Sequence, residues 1–281
     1  MTSLYGVIGN PISHSRSPQM HNRWFAEAGI DGQYFPFDIE PSRLEEAVRG
    51  MKALNLGGWN VTIPFKEAIL PLLDQVDDDA INIGAVNTVQ NRNGKLIGSN
   101  TDGAGFAASL LEKRTAEDIK QSSILIIGAG GAAKGIYYAL TKLNPASITV
   151  SNRTEERAVS LIQSIKTPVK AQAVSIQECE KLLSSYDIVI NTSSVGMFPH
   201  TERLPIEISG MKDNALAADI IYNPLETAFL KEARKHKADT LNGVGMFVQQ
   251  GALAFSQWTG IKPDTEKAIS RITEELGGTS C

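Results

Sequence analysis

The run Ile124-Leu-Ile-Ile-Gly128-Ala129-Gly130-Gly131-Ala132-Ala133 joins an apolar segment suited to a buried strand to a glycine-rich turn that opens a helix. That pattern is suited to holding a dinucleotide pyrophosphate. Gly128 permits the tight turn, Gly130 lets the backbone approach the phosphates, and the small Ala133 stands where a third glycine would allow close helix packing. The helix, expected from 132 to about 143, presents free N–H groups and a positive dipole end to the anion. Taken alone, the loop also describes a strand-to-helix turn that binds nothing. Context argues for the ligand. After a second expected strand at 147–151 comes Asn152-Arg153-Thr154, where an NAD enzyme usually keeps an acid for the ribose 2′-hydroxyl. An acid would repel a 2′-phosphate, whereas Arg153 can grip one through two charge-assisted hydrogen bonds, which selects NADP. Arg157 lies one helical turn further on and can add charge, or can belong to a solvated face with Glu155 or Glu156.

A second set of polar residues lies towards the N-terminus. In Gly9-Asn-Pro-Ile-Ser13-His14-Ser15-Arg-Ser17-Pro18, Ser17 is the expected N-cap and Pro18 the first helical residue. Ser13 and Ser15 beside a helix start can hold a carboxylate, although a plain capped turn has the same composition. Asn60-Val-Thr62-Ile-Pro-Phe-Lys66 puts Asn60 and Thr62 on one face of a strand end and Lys66 at the following junction. Asn87 and Asp102 follow in short turn-rich segments. Lysine, aspartate, asparagine and threonine make a cage for a polyhydroxy substrate. In isolation, Lys66 is as well read as a solvated helix-start lysine, and Asp102 as the N-cap of a helix running to about 114.

Elements that must position these residues follow from the hydrophobic pattern. Apolar and amphipathic blocks alternate, giving α/β architecture in two units. Strands are expected at 4–9, 33–39 and 58–63, with helices from about 17, 42 and 66. A doubly wound parallel set follows, with strands beginning near 124, 147, 171, 187 and 216. Two helical blocks, 244–259 and 264–276, close the chain, and the polar stretch 117–123 looks like a boundary. A length of 281 residues suits two domains. The net charge of -4 argues against nucleic acid, since no basic stripe is available. Cys179 and Cys281 cannot form a disulfide framework, and no segment has the length of a membrane span. Together these point to a cytoplasmic protein. His14, His21, His200 and His236 have no zinc-ligand spacing, so no metal is expected.

Taken in order, Asn10-Pro-Ile-Ser-His-Ser-Arg-Ser-Pro, Asn60-Val-Thr-Ile-Pro-Phe-Lys, Gly84-Ala-Val-Asn-Thr, Asn100-Thr-Asp-Gly, Gly128-Ala-Gly-Gly-Ala, Asn152-Arg-Thr and Asn242-Gly-Val-Gly-Met resemble the shikimate dehydrogenase family. The resemblance runs from about Tyr5 to the final helix. It implies NADP-dependent reversible reduction of 3-dehydroshikimate to shikimate in aromatic amino acid biosynthesis. It also implies two α/β domains around a cleft: a substrate domain of residues 1–101 plus 244–281, and a Rossmann-type NADP domain of residues 102–243. By position it assigns Ser13 and Ser15 to the substrate carboxylate and Thr62, Lys66, Asn87, Asp102 and Gln250 to ring hydroxyls, with Tyr222 on the substrate side. Its cofactor pattern maps onto Gly128, Ala129, Gly130, Gly131, Ala132, Asn152, Arg153, Thr154, Arg157, Ile220, Gly243 and Asp78, with Met246 against the nicotinamide. Lys66 is then the proton donor to the developing alkoxide, with Asp102 fixing it. The partner is a small molecule, with no nucleic acid or membrane, and the chain is a monomer or a homodimer. The alternatives are a quinate/shikimate dehydrogenase and a dinucleotide-sensing binding protein that has lost the reaction.

Overall fold

The structure is a computed structural model, and it describes residues 2–277; Cys281 lies outside them. The chain divides into two compact units, one built from residues up to Thr101 with Gln250–Thr265, the other from Asp102–Gln249 with the chain from Glu266 onward.

In the first unit, β1 (Ser3–Gly9), α1 (Ser17–Glu27), β2 (Gly32–Asp38), α2 (Leu44–Ala53) and β3 (Gly58–Val61) build a parallel set with strand order β2-β1-β3. After α3 (Phe65–Ala68), β4 (Gln75–Val76) and α4 (Asp78–Ile83), the sheet turns mixed. β5 (Thr88–Arg92) runs antiparallel to β3, and β6 (Lys95–Ser99) antiparallel to β5, with β4 at the edge. The β5–β6 hairpin is an addition to the pattern read from the sequence. Its two-residue turn, Asn93-Gly94, takes positive φ at both positions, 54° and 83°, as a twist-matched tight hairpin requires. A core of Ile8, Val48, Trp59, Val61, Phe65, Ile69 and Val89 lies on one face of the sheet.

The second unit opens with α5 (Asp102–Leu111) and α6 (Ala116–Gln121). Then follow β7 (Ser123–Ile127), α7 (Gly131–Lys142), β8 (Ser147–Ser151), α8 (Glu155–Ser164), β9 (Ala171–Val174), α9 (Ile176–Lys181), β10 (Ile188–Asn191), β11 (Leu216–Asp219), α10 (Ala228–Lys235) and β12 (Asp239–Leu241). All pairs are parallel, in the order β12-β11-β10-β7-β8-β9, the doubly wound Rossmann arrangement. The central strands are coated on both faces. Ile124 and Ile126 enter the cluster beneath α5 and α7, whereas Leu125 and Ile127 enter the cluster with Phe229 and Leu230. Such two-sided burial explains why β7, β10 and β11 read as apolar runs. The edge strand β12, three residues long, was too short to show in the pattern.

The chain closes with α11 (Gly243–Thr259), whose residues from Gln250 onward belong to the first unit, and α12 (Thr265–Glu275). Three side-chain bonds tie α11 to the first sheet: Trp258 Nε1–H donates to Val89 C=O at 3.0 Å, Ser99 Oγ donates to Gln257 Oε1 at 2.8 Å, and Gln90 Nε2 donates to Gln257 C=O.

Three local expectations are corrected. Residues 117–123 are no boundary: Thr115 caps α6 in a reciprocal capping box with Asp118, and Ile119 is fully buried, so the stretch is part of the second unit. Ser17 is not the N-cap but the first residue of α1, with Arg16 in the cap position and the Ser15 hydroxyl accepting from Ser17 N–H at 3.3 Å. Asp102 likewise begins α5 as a helical residue, and that helix stops at Leu111.

His21 in α1 is fully buried among the rings of Trp24, Tyr34, Phe255 and Trp258. Burial alone pushes its imidazole down from 6.5 to about 3. The unfolded chain therefore takes up a proton near pH 6.5 that the folded chain refuses until about pH 3. Its contribution is fully present above pH 6.5 and is lost as pH falls toward 3, a total of about 5 kcal/mol at most. Replacing it by His21→Phe, which keeps an aromatic ring, is expected to flatten the acid limb of stability between these values. Chemical unfolding of both proteins from pH 7.5 to 4 checks this; parallel curves would show that His21 is not the acid-labile group.

Candidate active site

The first unit places its expected substrate-side residues at the carboxyl ends of its parallel strands, the usual location of sites in open α/β sheets. β1 runs into the loop carrying Ser13 and Ser15. Two backbone bonds hold this region beside the end of β3: Thr62 N–H to Ile8 C=O at 2.9 Å and Asn10 N–H to Ile63 C=O at 3.1 Å. Lys66, in the single turn of α3, is half-buried, and its C=O accepts from Val86 N–H at 2.8 Å. That bond brings Asn87 next to the same edge. Asn87 is buried and its amide is locked: Oδ1 accepts from Thr101 N–H at 2.8 Å and Nδ2 donates to Thr101 Oγ1 at 3.0 Å. Gln250 rides on α11 beside α1, because at the next position Gly251 allows Met20, His21 and Trp24 to pack directly on the helix backbone. Ser13, Ser15, Thr62, Lys66, Asn87 and Gln250 thus belong to one unit.

In the second unit, the dinucleotide loop has the form its sequence predicts. Gly128 takes φ +111°, and a Cβ there would stand 2.7 Å from Thr192 Oγ1, so both conformation and space demand glycine. The cap residue of α7, Gly130, is exposed and adds no side-chain hydrogen bond to the helix's first N–H groups, which leaves that end suited to an anion. Beside it lies a cavity of about 580 Å³ lined by Gly128, Asn152, Arg153, Thr154 and Arg157. The Asn152 side chain donates to Thr154 C=O at 2.8 Å and shapes this loop. Both arginines therefore line one space, an arrangement that favours an anion-receptive pocket over a solvated helix face. Glu155 shares the lining, but as the first residue of α8 it sits where the helix dipole favours an acid. Ala129, Ile220 and Met246, all half-buried, pack against the same apolar cluster. Gly243 N–H donates to Ile221 C=O at 2.9 Å, and the Tyr222 ring lies 4.9 Å from that of Phe247. Asp102 is buried at the start of α5 in this unit. Asp78 begins α4 in the first unit, is exposed, and does not line the cavity.

Several residues at these sites escaped the sequence reading. Ser175, Gln177 and Ser193 also line the cavity; each follows a strand of the doubly wound sheet, and strand ends were the available signal. Asp219, at the end of β11, is 1 % exposed and binds Asn191 Nδ2, Ile221 N–H and Thr227 Oγ1, so one carboxyl ties together the end of β10, the chain after β11 and the start of α10. Burial raises it from 3.8 to about 6 despite those donors. Among the described residues, no group of three or more His, Cys, Asp or Glu side chains could hold a metal ion.

The chain matches three family models: the shikimate dehydrogenase substrate binding domain over residues 7–89, shikimate / quinate 5-dehydrogenase over 110–222, and the shikimate 5′-dehydrogenase C-terminal domain over 243–271. It is 50% identical over 278 residues to the shikimate dehydrogenase (NADP(+)) of Geobacillus sp. strain WCH70, covering 99% of this chain and 100% of that one. A crystal structure of a shikimate dehydrogenase in complex with NADP+ superposes with TM-score 0.90 at 39% identity, covering 98% of this chain and 96% of the other. The shikimate 5-dehydrogenase of Thermus thermophilus, in complex with NADP(H) and shikimate, gives TM-score 0.87 at 32% identity, covering 98% and 100%.

Asp219 makes the stability of the second unit pH-dependent. Its folded-state value is raised, so its stabilising share is full below pH 3.8 and falls as pH rises through about 6, by about 3 kcal/mol. Relative to wild type, an Asp219→Asn variant is expected to gain by that amount between pH 3.8 and 7. Urea unfolding of both proteins at several pH values measures the gap, and a constant gap would mean that Asp219 is ionised throughout.

Proposed function

This chain belongs to the shikimate dehydrogenase family, and we propose on that basis that it catalyses the reversible NADPH-dependent reduction of 3-dehydroshikimate to shikimate, in the pathway to chorismate and the aromatic amino acids. The observation that carries the cofactor half is the cavity of the second unit, in which Arg153 and Arg157 stand at the end of β8 where a ribose-binding acid would exclude a 2′-phosphate. The uncapped start of α7 and the φ +111° turn at Gly128 supply the pyrophosphate cradle. When bound, NADPH supplies the hydride that reaches the carbonyl carbon.

What remains for the protein is to bind, orient and move a proton. Ser13 and Ser15 donate to the substrate carboxylate. Thr62, Asn87 and Gln250 address the ring hydroxyls, and Tyr222 faces the substrate. The Lys66 ammonium donates a hydrogen bond to the carbonyl oxygen, stabilises the charge that grows there and gives up its proton as the alkoxide forms. Asp102 accepts from a substrate hydroxyl and fixes Lys66. In the oxidative direction Lys66 must begin neutral, so that direction gains from higher pH. Gly128, Ala129, Gly130, Gly131 and Ala132 hold the pyrophosphate; Asn152, Arg153, Thr154 and Arg157 hold the adenosine 2′-phosphate side. Ile220, Gly243 and Met246 line the nicotinamide end, and the family pattern also assigns Asp78 to the cofactor. We place the enzyme in the cytoplasm, acting on a small molecule as a monomer or homodimer. Cys179 is a buried free thiol, and among the described residues no helix is long and apolar enough to cross a membrane.

Initial rates of shikimate and quinate oxidation with NADP and NAD test the assignment. Shikimate with NADP is expected to be preferred; comparable quinate or NAD rates would make the enzyme a dual-specificity dehydrogenase, and no rate with any pair would refute catalysis. Lys66→Ala is expected to lower kcat by roughly 10²–10⁴-fold with little change in substrate KM; near-normal turnover would remove Lys66 from the proton transfer. Arg153→Ala is expected to raise the KM for NADP by about tenfold or more and to leave that for NAD nearly unchanged. Equal effects on both would show that Arg153 does not read the 2′-phosphate.

A further inference from the structure

The chemistry above leaves a buried polar chain in the first unit without a role. It begins at the hydroxyl of Tyr34 in β2. That hydroxyl donates to Asn60 Oδ1 at 2.7 Å. Asn60 Nδ2 donates to Asn87 C=O at 3.2 Å and to Thr88 Oγ1 at 3.1 Å, and Thr88 Oγ1 donates to Asn87 Oδ1 at 2.9 Å. Every member is buried. Direction matters here. A primary amide can present either end to a neighbour, and a phenol can donate or accept. Because Tyr34 donates to Oδ1, that oxygen is the end of Asn60 that faces the phenol, and Nδ2 is committed to Asn87 and Thr88.

The ring of Tyr34 is held as firmly as its hydroxyl. His21 stacks on it with centroids 4.4 Å apart and planes 5° from parallel, while Trp24 meets the edge of His21 at 5.1 Å and 86°. Neither His21 nitrogen has a hydrogen-bond partner, so the imidazole serves as a flat neutral plate. A Cβ at Gly251 would stand 3.4 Å from His21 Nε2, which sets this stack against the stretch of α11 that carries Gln250.

We propose that Tyr34 is a positioning residue for the substrate: through Asn60 and Thr88 it adds to the hold that Thr101 has on the Asn87 amide, and through the His21 stack it keeps Asn87 in register with the stretch of α11 that carries Gln250. The assignment rests on these residues binding shikimate, as proposed above. It has a kinetic signature distinct from packing. Tyr34→Phe keeps the stack and removes only the donor to Asn60, leaving a buried amide free to turn.

Steady-state kinetics of shikimate oxidation test it, beginning with the wild type; absence of a wild-type rate would overturn the functional assignment and this one with it. Given a wild-type rate, Tyr34→Phe is expected to raise the shikimate KM about tenfold, with kcat within about threefold and the NADP KM unchanged. Trp24→Phe, which loosens the His21 stack without touching the hydrogen-bond chain, is expected to lower the melting temperature and leave the shikimate KM in place. An unmoved shikimate KM in Tyr34→Phe, or an equal rise in Trp24→Phe, would overturn the positioning role.

Discussion

Burying a polar side chain commits its neighbours, because each donor and acceptor taken out of water must find a partner or cost roughly 1–3 kcal/mol. Both units are organised around that constraint at the ends of their strands. In the first, Asn60 and Asn87 are buried beside the loop expected to hold substrate, and Tyr34, Thr88 and Thr101 satisfy them. In the second, Asn191 and Asp219 end adjacent parallel strands; they satisfy each other and recruit Ser193 and Thr227. The loops around each site are therefore tied to the sheet through buried polar atoms. Small displacements of those loops would leave such atoms unpaired, which gives the sites rigidity that apolar packing alone does not supply.

Parallel pairing provides the rest of the geometry. A parallel sheet sends every connection out from one edge, so chemically active loops collect there without any need for sequence proximity. In the second unit this gathers Gly128, Arg153 and Ser193 from three strand ends around one cavity, although they span a long stretch of chain. The cavity's chemistry is also directional. Backbone N–H groups and a dipole end serve a diffuse phosphate charge at Gly130, whereas guanidinium groups at Arg153 and Arg157 serve a localised one.

The two units use different sheets for different work. The all-parallel second sheet is covered on both faces at its centre, where β7, β10 and β11 are apolar, a frame for one large ligand pocket. The first sheet folds back through the β5–β6 hairpin, and that return places Thr88 opposite Asn60 and Ser99 opposite Thr88. Antiparallel pairing thereby brings polar residues from three strands into direct contact, which a short crossover connection could not achieve. Asp219 and His21 show the cost of such burial, since desolvation moves both away from their ordinary titration ranges, in the direction that favours the neutral form.

Much of this was legible in the chain itself. The glycine loop, the absence of an acid after β8 and the apolar runs of the second sheet are local features, and local features are dictated by backbone sterics and strand periodicity. Hence the doubly wound parallel set, a helix opening at the glycine loop, expected from 132 and found from Gly131, and the preference for NADP were local readings. Asn93-Gly94 was an equally local signal, for a hairpin absent from the expected strands. What no local rule could supply was partnership across distance: that Tyr34 reaches Asn60, that Gly251 lies on His21, and that Asp219 joins Thr227 to Asn191. His21 shows the limit best. In sequence it is a polar residue beside a loop rich in serine, and only the convergence of four aromatic rings from α1, β2 and α11 makes it a buried, neutral plate. Residue types and spacing determined which chemistry was available; tertiary packing decided which polar groups lost water, and with that which of them must act together.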